Sequence, residues 1–435
     1  MRNLKFLICP LGNSVESLNL TFAALNSGYG ITNFDIAGVI GAGKFSFQGR
    51  ELKNISPSSV PETSFDYVII SSGGSLFNPA ISDYSPLKKT IAEKINAPSE
   101  SIIFDFEINS GQFTFPKVCL IVIFNHRFDK NLPLLRKIYG DRFSYLRFLM
   151  PFYDGADDDV IPVYESAPQF QGYLIQAYGK LKDIPCSHYL FIGDDLIINP
   201  TFDDVNFVAR TNMYDKKFLT TEIISFNSLN QFRWWHAANS SKPFYDSATS
   251  WRDSLYTYDE AINKFNNFFD VKYKEIYDEA FFGNPNEPGA NTIGRWNNSK
   301  DFFNVVSYFV MTNTNSFHIP YPMARGYSDI FCVEKGSLLK FSRLCGIFSA
   351  MNMFVEIAIP TVAVLTFRRD EVAFFKGIIN KNVGFFRSNF VLILWGKDRD
   401  AFENKYDKDF SRMYNEWDEK NLFVHPVKLS RWKNI

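Results

Sequence analysis

An apolar run in residues His188–Pro200 stops abruptly at Gly193-Asp194-Asp195 and then resumes, a pattern that few folds accommodate. Four apolar residues (189–192) precede the triplet, and three more follow it before an Asn-Pro pair ends the segment. The pattern is typical of a buried strand that presents carboxylates at its carboxyl end, where open α/β sheets bind ligands. Carboxylate oxygens are the ligands that Mg²⁺ and Mn²⁺ prefer. The alternative is a surface turn whose aspartates cap the next segment.

Composition excludes several classes of protein. The chain has 435 residues, enough for two or three domains, and its 46% hydrophobic and 21% charged residues indicate a globular protein. A formal net charge of -1 without a basic block argues against nucleic acid as a partner. Five scattered cysteines without CxxC spacing argue against a disulfide framework or a zinc site, and fit a reducing cytoplasm. The apolar run near the amino terminus is too short for a signal peptide.

The longest apolar stretch, Phe348 to Phe367, is long enough to span a bilayer. Asn352, Glu356 and Pro360 interrupt it, and an acidic residue at the centre of a membrane span is costly. We therefore predict a buried helix, followed after Pro360 by a second buried segment.

Residues 1–112 predict a small Rossmann-like α/β domain. Predicted strands at 5–9, 35–40, 66–70 and 101–106 alternate with helices over 16–25 and 86–95, which is typical of a parallel sheet. No GxGxxG motif follows the first strand, so we expect no bound NAD. The Ser-Ser-Gly-Gly segment at 71–74 is either a turn or an anion site built from backbone N–H groups.

Residues 117–200 predict a second α/β unit. Apolar runs at 118–124, 146–152, 160–163 and 188–193 are its predicted strands, with helices over 132–139 and 169–181. Because the carboxyl ends of parallel strands meet at one edge of a sheet, we expect Asn125, Asp154 and Asp195 along the same edge. The segment from about 200 to 315, with Trp234, Trp235 and neighbouring Asn and Tyr residues, indicates an irregular insertion that covers a site or binds an acceptor.

The order of features over residues 117 to 433 resembles the GT-A family of nucleotide-sugar-dependent glycosyltransferases. The resemblance rests on a strand that ends in Asn-His-Arg at 125–127, a strand that ends near Asp154, a helix with Gln-Gly at 171–172, and an apolar strand running into an acidic pair. The family marks that pair with Asp-x-Asp, whereas Gly193 stands at the first position here. FVEIA at 354–358 and HPVK at 425–428 resemble the family's acidic helix and carboxyl-terminal His and Lys. The segments FNHRFDK, HYLFIGDD, GYSDIF and FVEIAIPT are similar to uncharacterised bacterial surface-polysaccharide proteins.

The resemblance implies a GT-A-like domain over 117–435, with a mixed, mostly parallel sheet flanked by helices. Its nucleotide-binding half would be 117–200, and 201–435 would form the acceptor half and carboxyl-terminal region. The implied activity is metal-assisted transfer of a sugar from a nucleotide-sugar donor to a cell-surface glycan or lipid-linked glycan, with Mn²⁺ or Mg²⁺ as cofactor. The implied location is the cytoplasm, where peripheral contact with the inner face of the membrane stays open.

The resemblance also implies residue roles. Glu356 is the candidate general base, because an apolar environment raises the pKa of a carboxyl group. Asp329 is the candidate residue that orients the acceptor, since a polar loop beside Arg325 favours its ionised form. The candidate metal ligands are Asp195 and His425. The candidate donor-binding residues are Asn125, Arg127, Asp154, Asp194, Arg325 and Lys428.

Three alternatives stay open at this point. A non-catalytic binding or assembly protein with a degenerate GT-A domain fits the missing aspartate at Gly193. A nucleotidyltransferase also places acidic pairs at strand ends, but it usually has a glycine-rich basic loop after its first strand. The Asp157-Asp158-Asp159 run is a rival metal site, or a solvated turn.

Overall fold

The protein is a mixed α/β structure in which helices flank two main sheets dominated by parallel strands. The computed structural model describes residues 3–11, 15–29, 31, 33–41, 45–47, 50–63, 65–72, 76, 83–111, 113–225, 253–270, 276–278, 316–318, 321–375, 391–393, 397–418 and 421–435. The tryptophan-containing insertion predicted from about 200 to 315 lies largely outside these residues, and Trp234 and Trp235 are among those outside.

The first sheet has five strands, all parallel, in the order β5-β2-β1-β6-β7. This topology is the Rossmann-like arrangement that the strand–helix alternation predicts. Its elements are β1 (Asn3–Pro10), α1 (Val15–Tyr29), β2 (Asn33–Ile40), β3 (Ser46–Phe47), β4 (Arg50–Glu51), β5 (Asn54–Ile55), β6 (Tyr67–Ser71), α2 (Ser85–Ile95), β7 (Ile102–Phe104) and α3 (Asp105–Asn109).

The fourth predicted strand is shorter than expected, because helix α3 begins at Asp105. The Asp105 carboxylate is fully buried and accepts hydrogen bonds from the Ser72 N–H (2.8 Å) and the Ser17 hydroxyl (2.6 Å). The Ser72 N–H is thus already bound to a carboxylate of the protein. Gly73 and Gly74 lie outside the described residues, so both alternatives for 71–74 stay open.

The second sheet begins with four parallel strands, as the sequence predicts, in the order β10-β9-β8-β11. Gly193 pairs with Ile123, and Ile123 pairs with Leu149, so the carboxyl ends of three strands share one edge. The predicted common edge for Asn125, Asp154 and Asp195 is confirmed. The elements are β8 (Val118–Ile123), α4 (Leu132–Tyr139), β9 (Leu146–Pro151), β10 (Val160–Val163), α5 (Gln171–Leu181) and β11 (His188–Gly193).

Three later strands complete this seven-stranded sheet in the order β10-β9-β8-β11-β18-β13-β19, with β18 antiparallel to both of its neighbours. A separate small sheet joins β12, β21 and β20. The elements are β12 (Ile197–Ile198), α6 (Phe207–Arg210), β13 (Phe218–Thr220), β14 (Ile224–Ser225), α7 (Tyr258–Phe269), β15 (Ile276–Asp278), β16 (Ser316–His318), β17 (Ala324–Arg325), β18 (Ile330–Glu334), α8 (Leu338–Ala350), α9 (Val355–Thr366), β19 (Val372–Phe374), β20 (Val391–Ile393), α10 (Lys397–Lys405), α11 (Phe410–Asn415) and β21 (Phe423–His425).

Strand β11 is buried on both faces of the sheet. Tyr189 and Phe191 belong to the apolar core that α5, α8 and α9 cover. Leu190 and Ile192 belong to the opposite core, which α4, α11 and β21 cover. Burial on both faces explains why the strand reads as a continuous apolar run that only its carboxyl end interrupts.

The apolar stretch from Phe348 to Phe367 departs from our prediction. Helix α8 ends at Ala350 and helix α9 runs from Val355 to Thr366 with Pro360 inside it, so the predicted break after Pro360 is wrong. Proline lacks the N–H that would bind the carbonyl four residues earlier. The Gly326 N–H donates to that carbonyl, on Glu356, at 2.9 Å.

Among the described residues, no helix is both long and apolar enough to cross a membrane.

The two main sheets meet at Asp66, whose side chain is 1% exposed. Its carboxylate accepts from the Lys5 N–H at 2.7 Å and pairs with Arg210 at 2.7 Å. Tyr214 donates from its hydroxyl to the Asp66 carbonyl at 2.9 Å, and the Tyr67 hydroxyl donates to the Val205 carbonyl at 3.2 Å. The two sheets therefore share a buried contact at Asp66, and the domain boundary expected near residue 112 stays a prediction.

Candidate active site

The site lies at the carboxyl edge of β11, where the chain's carboxyl-terminal region folds back over the acidic pair. Strand β12 pairs antiparallel with β21, so that Ile197 lies opposite Val424. The Val427 N–H then donates to the Asp195 carbonyl at 2.6 Å. These backbone contacts bring His425 and Lys428, which follow Asp195 by more than two hundred residues in the sequence, next to its side chain.

Asp195 has a basic group on each carboxylate oxygen. His425 Nε2 lies 3.2 Å from Oδ1, and both side chains are less than a tenth exposed. The Lys428 ammonium forms an ion pair with Oδ2. Burial opposes ionisation of Asp195, but the hydrogen bond from His425 and the charges of His425 and Lys428 outweigh it and lower the pKa to about 2.

The same contacts act on His425. Burial opposes protonation of the imidazole, but the hydrogen bond to Asp195 and the charges of Asp329 and Asp195 raise its pKa. The Tyr327 ring packs edge-on against the imidazole, with ring centroids 5.8 Å apart. His425 is therefore held in place by one carboxylate and one aromatic ring.

Asp194 differs from its neighbour in its environment. Its N–H donates to the Ile123 carbonyl at 2.9 Å, which turns its carboxyl toward Asn131, whose Nδ2 lies 3.4 Å from Oδ2. Burial and the charge of Asp195 raise its pKa to about 7. At neutral pH the acidic pair thus combines one fully ionised carboxylate with one that is about half protonated.

Asp329 lies directly across the sheet from Gly193. The Gly193 N–H donates to the Asp329 carbonyl at 2.9 Å. The Asp329 Oδ2 lies 3.8 Å from His425 Nε2. Burial raises the pKa of Asp329, opposite to the direction expected from a polar loop. The prediction that its surroundings favour the ionised form is wrong, because Asp329 lies against β11 and Tyr327, where most of its side chain is buried.

Glu356 occupies the first turn of α9. Burial and the charge of Asp329 raise its pKa to about 7, while the charge of Arg325 partly opposes that rise. The direction agrees with the prediction from the apolar run. A pKa of about 7 lies in the range that suits a proton acceptor at neutral pH.

The remaining candidate donor-binding residues lie farther out on the same edge. Arg127 is exposed and pairs with Asp154 at 2.6 Å and with Asp129 at 3.2 Å. Asn125 lies two residues after the end of β8, and its backbone N–H donates to the Asp194 carboxylate. The structure therefore places this group beside the acidic pair without bringing Arg127 or Asp154 onto Asp195.

The rival acidic run behaves as a surface turn. Asp157 and Asp159 pair with Arg136 at 3.2 and 2.5 Å, and Asp158 is exposed. Since the Arg136 guanidinium already pairs with two of these three carboxylates, the run is a poor candidate for a metal site.

Sequence reasoning missed three residues of the site: Asn131, Tyr327 and Gly326. Asn131 lies at the start of a helix, where no local pattern links it to Asp194. A Cβ on Gly326 would lie 2.3 Å from the Glu222 carbonyl oxygen, so only glycine fits there. The Gly-Tyr-Ser-Asp segment at 326–329 was the sequence feature that could have indicated Gly326 and Tyr327. The segment alone does not show which strand packs against these residues.

The fit of a divalent cation follows from distances between ligand atoms. Two ligands about 2.1 Å from one ion and about 90° apart lie about 3.0 Å from each other. The 3.2 Å between His425 Nε2 and Asp195 Oδ1 is close to this value. Within the described ranges no three His, Cys, Asp or Glu side chains already converge on one position. The donor set thus fits a cation held by two protein ligands, with substrate oxygens supplying the others.

Comparison with solved structures gives only weak likeness. No protein-family model matches the chain, and no curated protein matches it. A solved structure of core-mannan synthase A from Aspergillus fumigatus, in an Mn/GDP form, is similar over 60% of this chain and 73% of that one, at 11% identity and a TM-score of 0.25. So low a score carries no weight for fold or chemistry. The α/β fold class of this chain follows from its own strand order, and its candidate site from its own side chains.

Proposed function

We propose that this protein is a glycosyltransferase that uses a nucleotide-sugar donor. The observation that carries the proposal is the arrangement of Asp195, His425 and Lys428 at the carboxyl edge of a parallel sheet, with Glu356 on the adjacent helix. A cationic group beside an ionised carboxylate suits a diphosphate leaving group, and a carboxyl group with a pKa near 7 suits an acceptor hydroxyl.

On the donor side, Asp195 and His425 are the residues that would hold a divalent cation. Such an ion supplies Lewis-acid neutralisation of the diphosphate. The Lys428 side chain is 48% exposed, so its ammonium is able to swing from Asp195 to a phosphate oxygen. Asn125, Asp194 and the Arg127–Asp154 pair line the same edge, where they would contact the nucleoside.

On the acceptor side, Glu356 is the general base. The acceptor oxygen forms a bond to the anomeric carbon, the bond from that carbon to the diphosphate oxygen breaks, and the acceptor proton moves to the Glu356 carboxylate. The electron pair of the broken bond leaves with the nucleoside diphosphate. This sequence inverts the anomeric configuration. Arg325, whose charge acts on Glu356, keeps part of the Glu356 population ionised at neutral pH.

The finer assignment follows the resemblance to GT-A enzymes and to bacterial surface-polysaccharide proteins. The acceptor would be a cell-surface glycan or its lipid-linked precursor, built from the cytoplasmic side with Mn²⁺ or Mg²⁺. The segment between β14 and β17 is the part of the chain where an acceptor-binding insertion was expected.

The test is a screen of the purified protein against sugar nucleotides with Mn²⁺, read by thermal shift and by release of nucleoside diphosphate. Asp195→Asn should lower donor turnover about 100-fold or more, because it removes the carboxylate that pairs with Lys428 and would bind the divalent cation. Asp158→Asn is the control, since it removes an exposed carboxylate from the turn before β10, at the other end of the parallel strands. Equal turnover in the two variants would refute the donor site.

The runner-up function is a non-catalytic sugar-nucleotide-binding protein, favoured by the absence of a carboxylate at Gly193. The same screen separates the two functions. A thermal shift with a nucleotide sugar but no release of nucleoside diphosphate, with any acceptor offered, would establish binding without transfer.

A further inference from the structure

We propose that Asp329 supplies the second carboxylate ligand of the cation site, in place of the carboxylate that Gly193 lacks. This inference deepens the proposed function and rests on it. It also reassigns Asp329, which the sequence predicts to orient the acceptor, to the donor side of the site.

The sheet places Asp329 opposite Gly193. Strand β18 runs antiparallel to β11, with Ile330 paired to Ile192, and the Gly193 N–H donates to the Asp329 carbonyl at 2.9 Å. A side chain on Gly193 would start 3.9 Å from the Asp329 Cβ and 3.3 Å from Asp195 Oδ1. A carboxylate at position 193 would therefore enter the space that lies between Asp195 and Asp329.

His425 joins the two carboxylates. Its Nε2 lies 3.2 Å from Asp195 Oδ1 and 3.8 Å from Asp329 Oδ2. The imidazole is 6% exposed and packed against Tyr327, so it is the fixed member of the three. The Asp329 side chain is 25% exposed, and its carboxyl group is also hydrogen-bonded to Tyr327. Shortening the longer of these two distances by less than about 1 Å would place Asp329 at the same spacing from His425 as Asp195, which is the spacing of neighbouring ligands on one ion.

Charge supports the same arrangement. Asp195 and Asp329 bring two carboxylates to one buried imidazole, and like charges at this range repel each other. A divalent cation held by these carboxylates would neutralise both without requiring a charged histidine. It would also compensate Asp195 for the ion pair that is lost if Lys428 turns to a phosphate.

The experiment measures Mn²⁺ binding by the full chain without donor or acceptor, by electron paramagnetic resonance and calorimetry. Asp329→Asn should weaken binding by at least about tenfold. Gly193→Asp added to Asp329→Asn should restore affinity to within about threefold of wild type, because it returns a carboxylate to the same space. Gly193→Ala added to Asp329→Asn is the matched control and should not restore it. The Gly193 backbone is not in the left-handed region, so both side chains are compatible with its conformation.

Three other results would each overturn the inference. Wild-type Mn²⁺ affinity in Asp329→Asn, with an acceptor KM that rises, would return Asp329 to the acceptor side and overturn the inference. Rescue by Gly193→Ala as well as Gly193→Asp would also overturn it, since the effect would then be packing. Wild-type protein that binds no Mn²⁺ yet releases nucleoside diphosphate from a nucleotide sugar would refute the cation site and leave the proposed transferase intact. Far-ultraviolet circular dichroism of each variant confirms that it is folded.

Discussion

The Gly326 backbone N–H donates a hydrogen bond of 2.9 Å to the carbonyl of Glu356, inside the first turn of α9. In an uninterrupted helix that carbonyl would bind the N–H four residues later, but residue 360 is proline. The loop that carries Arg325 and Asp329 is thereby attached to the helix that carries Glu356. The hydrogen bond from Gly326, which takes the place of the missing helical one, thus connects the two sides of the candidate site.

Gly326→Ala should damage both stability and catalysis. The new Cβ would lie 2.3 Å from the Glu222 carbonyl oxygen and 3.1 Å from Pro360 Cγ, so the backbone must move. We expect a loss of about 1–3 kcal/mol in the free energy of unfolding, together with a lower kcat as Glu356 shifts. Urea denaturation and steady-state kinetics measure the two effects.

Gly179→Ala is the control for that substitution. Gly179 is an exposed residue of α5, and a Cβ there would meet no atom within 4 Å. Alanine in a helix should leave stability unchanged or raise it by about 0.4–1 kcal/mol. If Gly326→Ala behaves in the same way, the close approach to Glu222 is unimportant.

The pH dependence of kcat/KM should report Glu356. A general base must be ionised, so kcat/KM should rise with pH and reach half of its maximum near pH 7, where burial places the pKa of Glu356 in the free protein. Glu356→Gln should lower kcat by about 100-fold or more with little change in donor KM, because the amide accepts no proton. Product anomer analysis accompanies the kinetics. A normal kcat in this variant with an inverted product would rule out the assignment.

Asp194 also has a pKa raised to about 7, so the profile needs a control. Asp194→Asn should retain the dependence on pH, since it leaves the proton acceptor intact. Its kcat should fall less than that of Asp195→Asn. If the pH dependence disappears in Asp194→Asn and persists in a Glu356 variant, Asp194 is the titrating group.

Asp194→Asn should stabilise the protein above neutral pH. The unfolded carboxyl group has a pKa of about 3.9, and the folded one is raised to about 7 by burial and by Asp195. The folded state binds the proton more tightly, so wild-type stability falls as pH rises from about 4 to 7. Asparagine resembles the protonated carboxyl group and does not ionise, so the stability of the variant should not fall over this pH range for this reason. We expect a gain of roughly 1–4 kcal/mol at pH 8 and little change at pH 4.

The measurement is urea denaturation of both proteins at several pH values. The raised pKa of His425 also makes folding less favourable as pH rises, because the stability of its protonated form is lost above its folded pKa. That contribution is largely common to both proteins, so the difference between them isolates Asp194. A constant difference from pH 4 to 8 would contradict the assignment.

Arg210→Ala should weaken the junction of the two sheets. Asp66 is 1% exposed and pairs with Arg210, so the substitution leaves a buried carboxylate without its cation. We expect a loss of about 3 kcal/mol in the free energy of unfolding. Arg412→Ala is the control, because its pairs with Asp407 and Glu416 are exposed and should contribute about 0–1 kcal/mol. Similar losses in the two variants would show that the junction is unimportant for stability.

The amino-acid pattern by itself determined the parallel part of both sheets. Apolar runs bounded by polar residues encode strands buried on both faces, and the parallel arrangement then puts Asn125, Asp154 and Asp195 on one edge. The pattern also indicates that Glu356, alone in an apolar helix, has a raised pKa. These properties depend on local order and burial, which hydrophobic periodicity records directly.

Only the tertiary structure decided which residues meet at the site. His425 and Lys428 reach Asp195 through the pairing of β12 with β21, and Asp329 faces Gly193 because β18 inserts antiparallel beside β11. The prediction of a helix break at Pro360 was wrong for the same reason, since a distant N–H from Gly326 replaces the lost helical bond. Pairings over such separations depend on the free energy of the whole fold, and no short segment of sequence contains that information.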